Sequence, residues 1–266
     1  MTADIPEGVK PLVDEYIATI EAELPGFMSA FYLHGSIALG DFHPRFSDID
    51  FIAVINRPST TTDLAGLKRI HHALKQKYPQ GNLSGSYLQS HDLGRAKADL
   101  QPHPHCHNGV VKVTDFQEME FVTWWTLKYH GLALIGPKPQ ELNFTLDWNE
   151  FMVATRENMN TYWVRFTREP VRMAWLFWDY GIQWAVLGVL RQFYSLNEHD
   201  IASKTRAGEY GLARLPESWQ RIIQEAINVR NQSQMRSSLY GSRLNRAVEA
   251  QRFLRFLIDL CNARFT

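Results

Sequence analysis

The stretch His34-Gly35-Ser36-Ile37-Ala38-Leu39-Gly40-Asp41, followed by Ser47-Asp48-Ile49-Asp50-Phe51-Ile52-Ala53-Val54, decides how the rest of the chain is read. Asp48 and Asp50 stand at i and i+2 at the head of a run rich in Ile, Val and Phe. That run reads as a strand over 49–55, closed by Asn56-Arg57-Pro58. Side chains alternate across a strand, so both carboxylates point to one face. Two carboxylates on one face repel each other unless a cation lies between them. Mg²⁺ prefers such oxygen ligands and keeps waters and phosphates in its shell. Gly35-Ser36 closes another short apolar run, Phe31-Tyr32-Leu33. Glycine lets backbone N–H groups approach phosphate oxygens, and the serine hydroxyl adds a donor. Either feature alone is ordinary turn chemistry. Their joint occurrence is specific, because acids on a strand that otherwise reads as buried are costly unless they are used.

Outward from this stretch, residues 8–24 repeat apolar positions at helical spacing (Leu12, Val13, Ile17, Ile20, Leu24), and Pro25-Gly26 ends them. Residues 60–77 return to that period, and Leu83 to Gln89 and Val110 to Val113 read as strands. A helix is expected over 116–130, stopped at Gly131. Leu132 to Pro139 reads as a short apolar run with a Pro/Gly break, a linker. Long helical stretches follow near 147–166, 170–194, 216–230 and 239–263. Asp147 with Glu150 has capping-box-like spacing, and Pro170 suits a first helical turn. The division is an α/β half over 1–140 and a helical half over 141–266.

The 266 residues suffice for one or two domains with a buried core, and 45% hydrophobic and 12% aromatic content excludes a disordered chain. Lys plus Arg and Asp plus Glu are 28 each, which argues against a nucleic-acid binder. Cys106 and Cys261 cannot form a disulfide scaffold and suit a reducing compartment. No basic n-region and apolar h-region opens the chain. The uncharged run Tyr180 to Leu190 is too short to span a bilayer, so a cytoplasmic protein with no membrane partner is expected.

Gly35-Ser36, a spacer and Asp48-Ile49-Asp50 resemble the nucleotidyltransferase superfamily signature shared with DNA polymerase β. The longer string over 34–50 is similar to aminoglycoside adenylyltransferases of the streptomycin/spectinomycin type. Leu132 to Pro137 resembles that family's interdomain segment. Leu190 to Tyr194, Ser203-Lys204 and Ala213 to Pro216 resemble its helical C-terminal domain. The resemblance implies an α+β N-terminal nucleotidyltransferase domain with a mixed sheet, and an all-α helical-bundle C-terminal domain. It implies ATP as co-substrate and Mg²⁺ in a cleft between domains, with AMP passed to a hydroxyl of a small molecule and pyrophosphate released. In that scheme Asp48 and Asp50 hold the metal. Gly35 and Ser36 cradle the phosphates, and Arg191 and Lys204 align with the family's triphosphate-binding cations.

The chain departs from the family in two places. The third acidic residue, the general base, falls at Ser84, which can orient a water or ligate weakly but cannot accept a proton as a carboxylate does. Another group then supplies the base, or metal and solvent suffice, or the chemistry is weak or lost. The nearest acids in sequence are Asp92, Asp115, Glu118 and Glu120. The drug-binding acids of the C-terminal helix also fail to align, with Phe177 and Gly181 on either side of Asp179. Three readings stay open: an adenylyltransferase for a small hydroxylated acceptor, a nucleotide-binding relative without the base, and an enzyme adenylylating a macromolecule. His103-Pro104-His105-Cys106-His107 reads as an exposed loop near the site. Its ligands are too closely spaced for paired zinc binding, though a histidine there can contact the acceptor or take a proton. Most of the aromatic residues Trp124, Trp125, Tyr129, Trp163, Phe166, Trp175, Phe177, Trp178 and Trp184 read as helical core.

Overall fold

A computed structural model describes residues 4–114, 120–231 and 237–265. The chain divides into two compact units, Met1–Leu146 and Asp147–Thr266.

The first unit is built on a six-stranded sheet of β1 (Met28–Leu33), β2 (Ile49–Ile55), β3 (Leu83–Gln89), β4 (His103–His107), β5 (Val110–Thr114) and β6 (Leu132–Ile135). Their spatial order is β5-β4-β3-β2-β1-β6. Only β2 and β3 run parallel; every other neighbouring pair is antiparallel, so the sheet is mixed. A parallel pair needs a crossover, supplied by a helix over Thr61–Lys77. The helices of this unit are α1 (Lys10–Glu23), α2 (Gly35–Ala38), α3 (Thr61–Lys77) and α4 (Phe121–His130).

Apart from Asp50, β2 is apolar because both its faces are covered. Phe51, Ala53 and Ile55 pack with Tyr16 and Ile20 of α1 and Leu67 and Ile70 of α3. Ile52 and Val54 pack with Leu88 of β3 and with Trp124 and Leu127 of α4. Asp48 and Asp50 share the parity of Ile52 and Val54, which places both on the α4 face. The α1/α3 face also holds a buried hydrogen-bonded chain. The Tyr16 and Tyr87 hydroxyls lie 2.7 Å apart, Tyr87 Oη is 2.6 Å from His71 Nε2, and His71 Nδ1 is 3.1 Å from Cys106 Sγ. Burial drives the His71 imidazole down to about 3 and the Cys106 thiol up to about 12, so both are neutral there.

Several expectations are corrected. Residues 103–107 are not a loop but β4, flanked on both sides by strands. Leu132–Ile135 is an edge strand paired with β1 rather than a connector. Gly35-Ser36 is not only a turn but opens the single-turn helix α2. The helix ending at His130 begins at Phe121; residues 116–119 of the expected span lie outside the described residues.

The second unit is helical: α5 (Trp148–Thr161), α6 (Pro170–Trp175), α7 (Asp179–Glu198), α8 (Lys204–Arg214), α9 (Gln220–Asn231) and α10 (Arg243–Arg264). α7 is its centre, packed by α5, α8, α9 and α10, and is apolar on nearly every side. Asp147 caps α5 by accepting from the Asn149 amide at 2.8 Å, and Pro170 opens α6. The stretch expected as one helix over 170–194 is two. The chain turns at 176–178, and Gly181 comes so near the Trp175 carbonyl that a Cβ would lie 1.9 Å from its oxygen. Trp163 and Phe166 are buried as expected, whereas Trp175, Phe177 and Trp178 are exposed. α8 was not anticipated. Its Gly208 and Gly211, poor helix formers, let it approach Ile227 of α9 and Leu190 of α7 closely. Among the described residues no helix is long and apolar enough to cross a membrane.

Candidate active site

The site is assembled where β1 ends beside the head of β2. The His34 amide donates to the Asp50 carbonyl at 3.0 Å. The His34 ring is buried, which pushes its pKa down to about 4 and keeps it neutral. Gly35 then turns the chain at a φ of +60°, a conformation costly for residues with a Cβ. A Cβ at this position would lie 2.0 Å from Asp50 Oδ2. Backbone and carboxylate are therefore in close approach, and only glycine permits it.

Ser36 follows in the first turn of α2. Its hydroxyl oxygen is buried and has no hydrogen-bond partner among the described residues. Leaving such a group unmet costs about 1–3 kcal/mol, and this one stands beside the Gly35–Asp50 approach, where a ligand could complete it.

The loop from Gly40 to Ser47 is closed by its own bonds. The Asp41 amide donates to the Ser36 carbonyl at 2.8 Å, and Asp41 Oδ1 lies 2.9 Å from His43 Nε2. The His43 amide donates to Ser47 Oγ at 3.1 Å. This closure delivers Asp48 to the head of β2, where Asn82 Nδ2 donates to Asp48 Oδ1 at 2.6 Å. Asp48 and Asp50 are both half-buried.

Across the sheet, Asp50 of β2 stands opposite Ser84 of β3. Ser84 is buried, and its Oγ lies 3.1 Å from His107 Nδ1 on β4. Ser86 Oγ repeats the pattern with His105 Nδ1 at 2.9 Å. Strand alternation puts His103, His105 and His107 on the aspartate face and Cys106 on the other. The period-two spacing of these histidines was the available signal, obscured by Pro104, a residue that argues against a strand. Burial and the neighbouring rings of His103 and His107 push His105 down to about 4.

The alternative acids separate. Asp92 follows the far end of β3, where its carboxylate accepts from the Gln89 amide. At about 3.3 Å per residue, that is roughly 17 Å or more along the strand from Ser84. Asp115 and Glu118 lie outside the described residues. Glu120 is exposed at the start of α4.

Within the helical unit, Arg191 and Lys204 occupy the α7–α8 junction. Arg191 Nε donates to the Ala202 carbonyl at 3.0 Å, and Lys204 Nζ sits 4.4 Å from the Trp184 ring centroid. Asp179 accepts from Arg246 Nη1 at 2.6 Å, which ties it to α10. Among the described residues no group of three or more His, Cys, Asp or Glu side chains converges as a metal site.

Two protein families match the chain. The nucleotidyltransferase domain matches residues 17–81, which hold Gly35, Ser36, Asp48 and Asp50 and stop short of Ser84. The C-terminal domain of aminoglycoside adenylyltransferase matches residues 175–252, which hold Arg191 and Lys204. No curated protein sequence matches significantly. Among solved structures, the chain is similar in fold to the spectinomycin adenyltransferase AAD(9) from Enterococcus faecialis, crystallised with ATP and spectinomycin. The TM-score is 0.61 at 13% identity, over 93% of this chain and 98% of that one.

Proposed function

We propose, for a chain that carries a nucleotidyltransferase domain and resembles the aminoglycoside adenylyltransferases, that it transfers AMP from ATP to a hydroxyl of a small molecule. The single observation that carries this reading is the orphaned Ser36 hydroxyl beside the Gly35–Asp50 approach. The donor set fits a magnesium–nucleotide pair. Asp48 and Asp50 offer two hard carboxylates, short of a full protein cage, which is what Mg²⁺ takes when phosphate and water complete its shell. When bound, the metal supplies neutralisation of charge on the phosphates.

The chain's own residues do the rest. Asn82 holds Asp48 in place. Ser36 Oγ and the backbone at Gly35 donate toward the phosphates, which restores the hydroxyl's missing bond. Arg191 and Lys204 are assigned to the triphosphate as cations. The acceptor oxygen bonds to the α-phosphorus as the bond to pyrophosphate breaks, and the acceptor's proton passes to a base. Support for a hydroxylated acceptor comes from the resemblance, since AAD(9) was crystallised with spectinomycin.

A second reading, nucleotide binding without transfer, is favoured by Ser84 alone. One experiment separates the two: pyrophosphate release with ATP and Mg²⁺ across spectinomycin, streptomycin and other hydroxylated compounds, beside calorimetric binding of ATP. Transfer by the wild type, with metal-dependent ATP binding abolished in Asp48→Asn and Asp50→Asn, is the expected result. Binding without release to any acceptor supports the second reading. Unchanged metal-dependent affinity in both variants rejects the site.

A further inference from the structure

Five polar side chains share the aspartate face of the sheet and have no role so far: Ser84, Ser86, His103, His105 and His107. Their arrangement is a row across the strands. Asp50 stands opposite Ser84, and Ser84 Oγ meets His107 Nδ1 at 3.1 Å. Strands are spaced about 4.8 Å apart, so the His107 backbone lies roughly 10 Å from that of Asp50. The imidazole leans back over part of that distance to reach Ser84. It therefore lies beside Ser84, the position at which the sequence resemblance leads one to expect an acid.

The three histidines are not equivalent. His103 is buried, with Nδ1 2.9 Å from the Gln101 carbonyl. His105 is bonded to Ser86, and burial holds its pKa near 4. His107 alone of the three is exposed, and its Nε2 makes no bond to any described residue.

We propose that His107, positioned by Ser84, is the general base for the acceptor hydroxyl. This rests on the AMP-transfer reading above. The role requires the tautomer in which Nδ1–H donates to Ser84 Oγ, which leaves the lone pair on Nε2. The acceptor's O–H bond breaks and its proton passes to Nε2. The freed oxygen bonds to the α-phosphorus while the bond from phosphorus to pyrophosphate breaks, and the proton later leaves to solvent. An imidazole accepts a proton near neutral pH, as serine cannot. Ser84 is the positioning residue, because its hydroxyl holds the ring at Nδ1 and leaves Nε2 to face outward. The titratable groups on this face of the sheet are His103 and His105 on its own strand, Lys112 opposite His105 on β5, and Asp48 and Asp50 two strands away at the head of β2; β3 adds none.

The test uses the full chain and three measurements. Calorimetry with Mg²⁺ and a non-hydrolysable ATP analogue, AMPCPP, reads the nucleotide site. Nitrogen-15 spectra of the histidines with and without that pair read the ring. Pyrophosphate release from ATP, with spectinomycin and with water alone, is followed across pH. We expect His107→Gln to keep AMPCPP affinity within about twofold while release falls by about 10²–10⁴-fold. The wild type should lose rate toward acid pH, and the residual rate of His107→Gln should lack that limb. The His107 ring should be in the Nδ1–H form, shift on adding Mg²⁺ and AMPCPP, and change tautomer in Ser84→Ala. Ser84→Glu should restore release in the His107→Gln background. Wild-type release from His107→Gln at every pH, with AMPCPP still bound, overturns the base and leaves the nucleotide site standing. No AMPCPP binding by the wild type overturns both.

Discussion

At the scale of single residues, Gly35 and Ser36 make opposite demands on stability and binding, which lets them be told apart. Ser36 Oγ has no described partner, so Ser36→Ala removes a buried unmet group and nothing that holds the fold. Its melting temperature should stay level or rise. A hydrogen bond to a charged phosphate is worth about 1.5–3 kcal/mol, so affinity for Mg²⁺ and AMPCPP should fall about 10- to 100-fold. Gly35→Ala should lose both properties. Its φ of +60° strains an alanine by about 1–2 kcal/mol, and the new Cβ meets Asp50 Oδ2. Thermal melts and calorimetry on the two variants check this. A Ser36→Ala protein that melts several degrees lower would show that the hydroxyl is bonded within the fold.

At the scale of elements, α3 shows how a cap ties pH to stability. Asp63 sits at the third position of the helix and accepts from the Thr60 amide and hydroxyl, both at 2.7 Å. Arg57 forks onto the same carboxylate at 2.5 and 3.0 Å. The Arg57 hydrogen bonds lead in holding the Asp63 pKa well below the usual carboxylate range, and the Thr60 bonds add to it. A depressed carboxylate stabilises the fold fully above its unfolded pKa near 4, and that gain is lost as pH falls below it. Asp63→Ala should cost about 1–2 kcal/mol at pH 7. The gap from wild type in urea midpoint should narrow at pH 3. A gap that is constant across this range would put the effect in packing and not in the charge. Because α3 is the crossover between β2 and β3, this cap also steadies the pairing that places Ser84 opposite Asp50.

At the scale of the molecule, each unit is organised about buried polar groups as well as a core. In the helical unit the Arg246 guanidinium of α10 reaches Asp179 at the start of α7, Glu225 of α9 at 3.2 Å and the Phe177 carbonyl at 3.1 Å. Glu225 is completely buried and also accepts from Ser238 Oγ and the Leu239 amide. Arg246→Ala strands that carboxylate without its cation and should destabilise by about 3–5 kcal/mol. Replacing both partners, as Arg246→Met with Glu225→Gln, should cost less than the single change. Urea unfolding followed by the helical circular dichroism signal measures both. Equal losses in the single and double variants would show that packing of the Arg246 stem carries the effect.

The chain's local chemistry alone determined β2 and β3 to the residue, the helices flanking them and the Gly-Ser and Asp-x-Asp positions. Those features are written in periodicity and in turn residues, which act over a few neighbours. Three things were decided only by tertiary structure. β4 is a strand because β3 and β5 pair with it on both sides, which outweighs its proline and its polar residues. α8 is a helix because its glycines admit close neighbours, a gain that propensity does not record. The break between α6 and α7 comes from the approach of Gly181 to the Trp175 carbonyl, with no proline to announce it. Each depends on a contact between residues distant in sequence or folded back on one another. The pairing of Ser84 with His107 is of the same kind: 23 positions apart, they meet only because β3 and β4 are neighbours in the sheet.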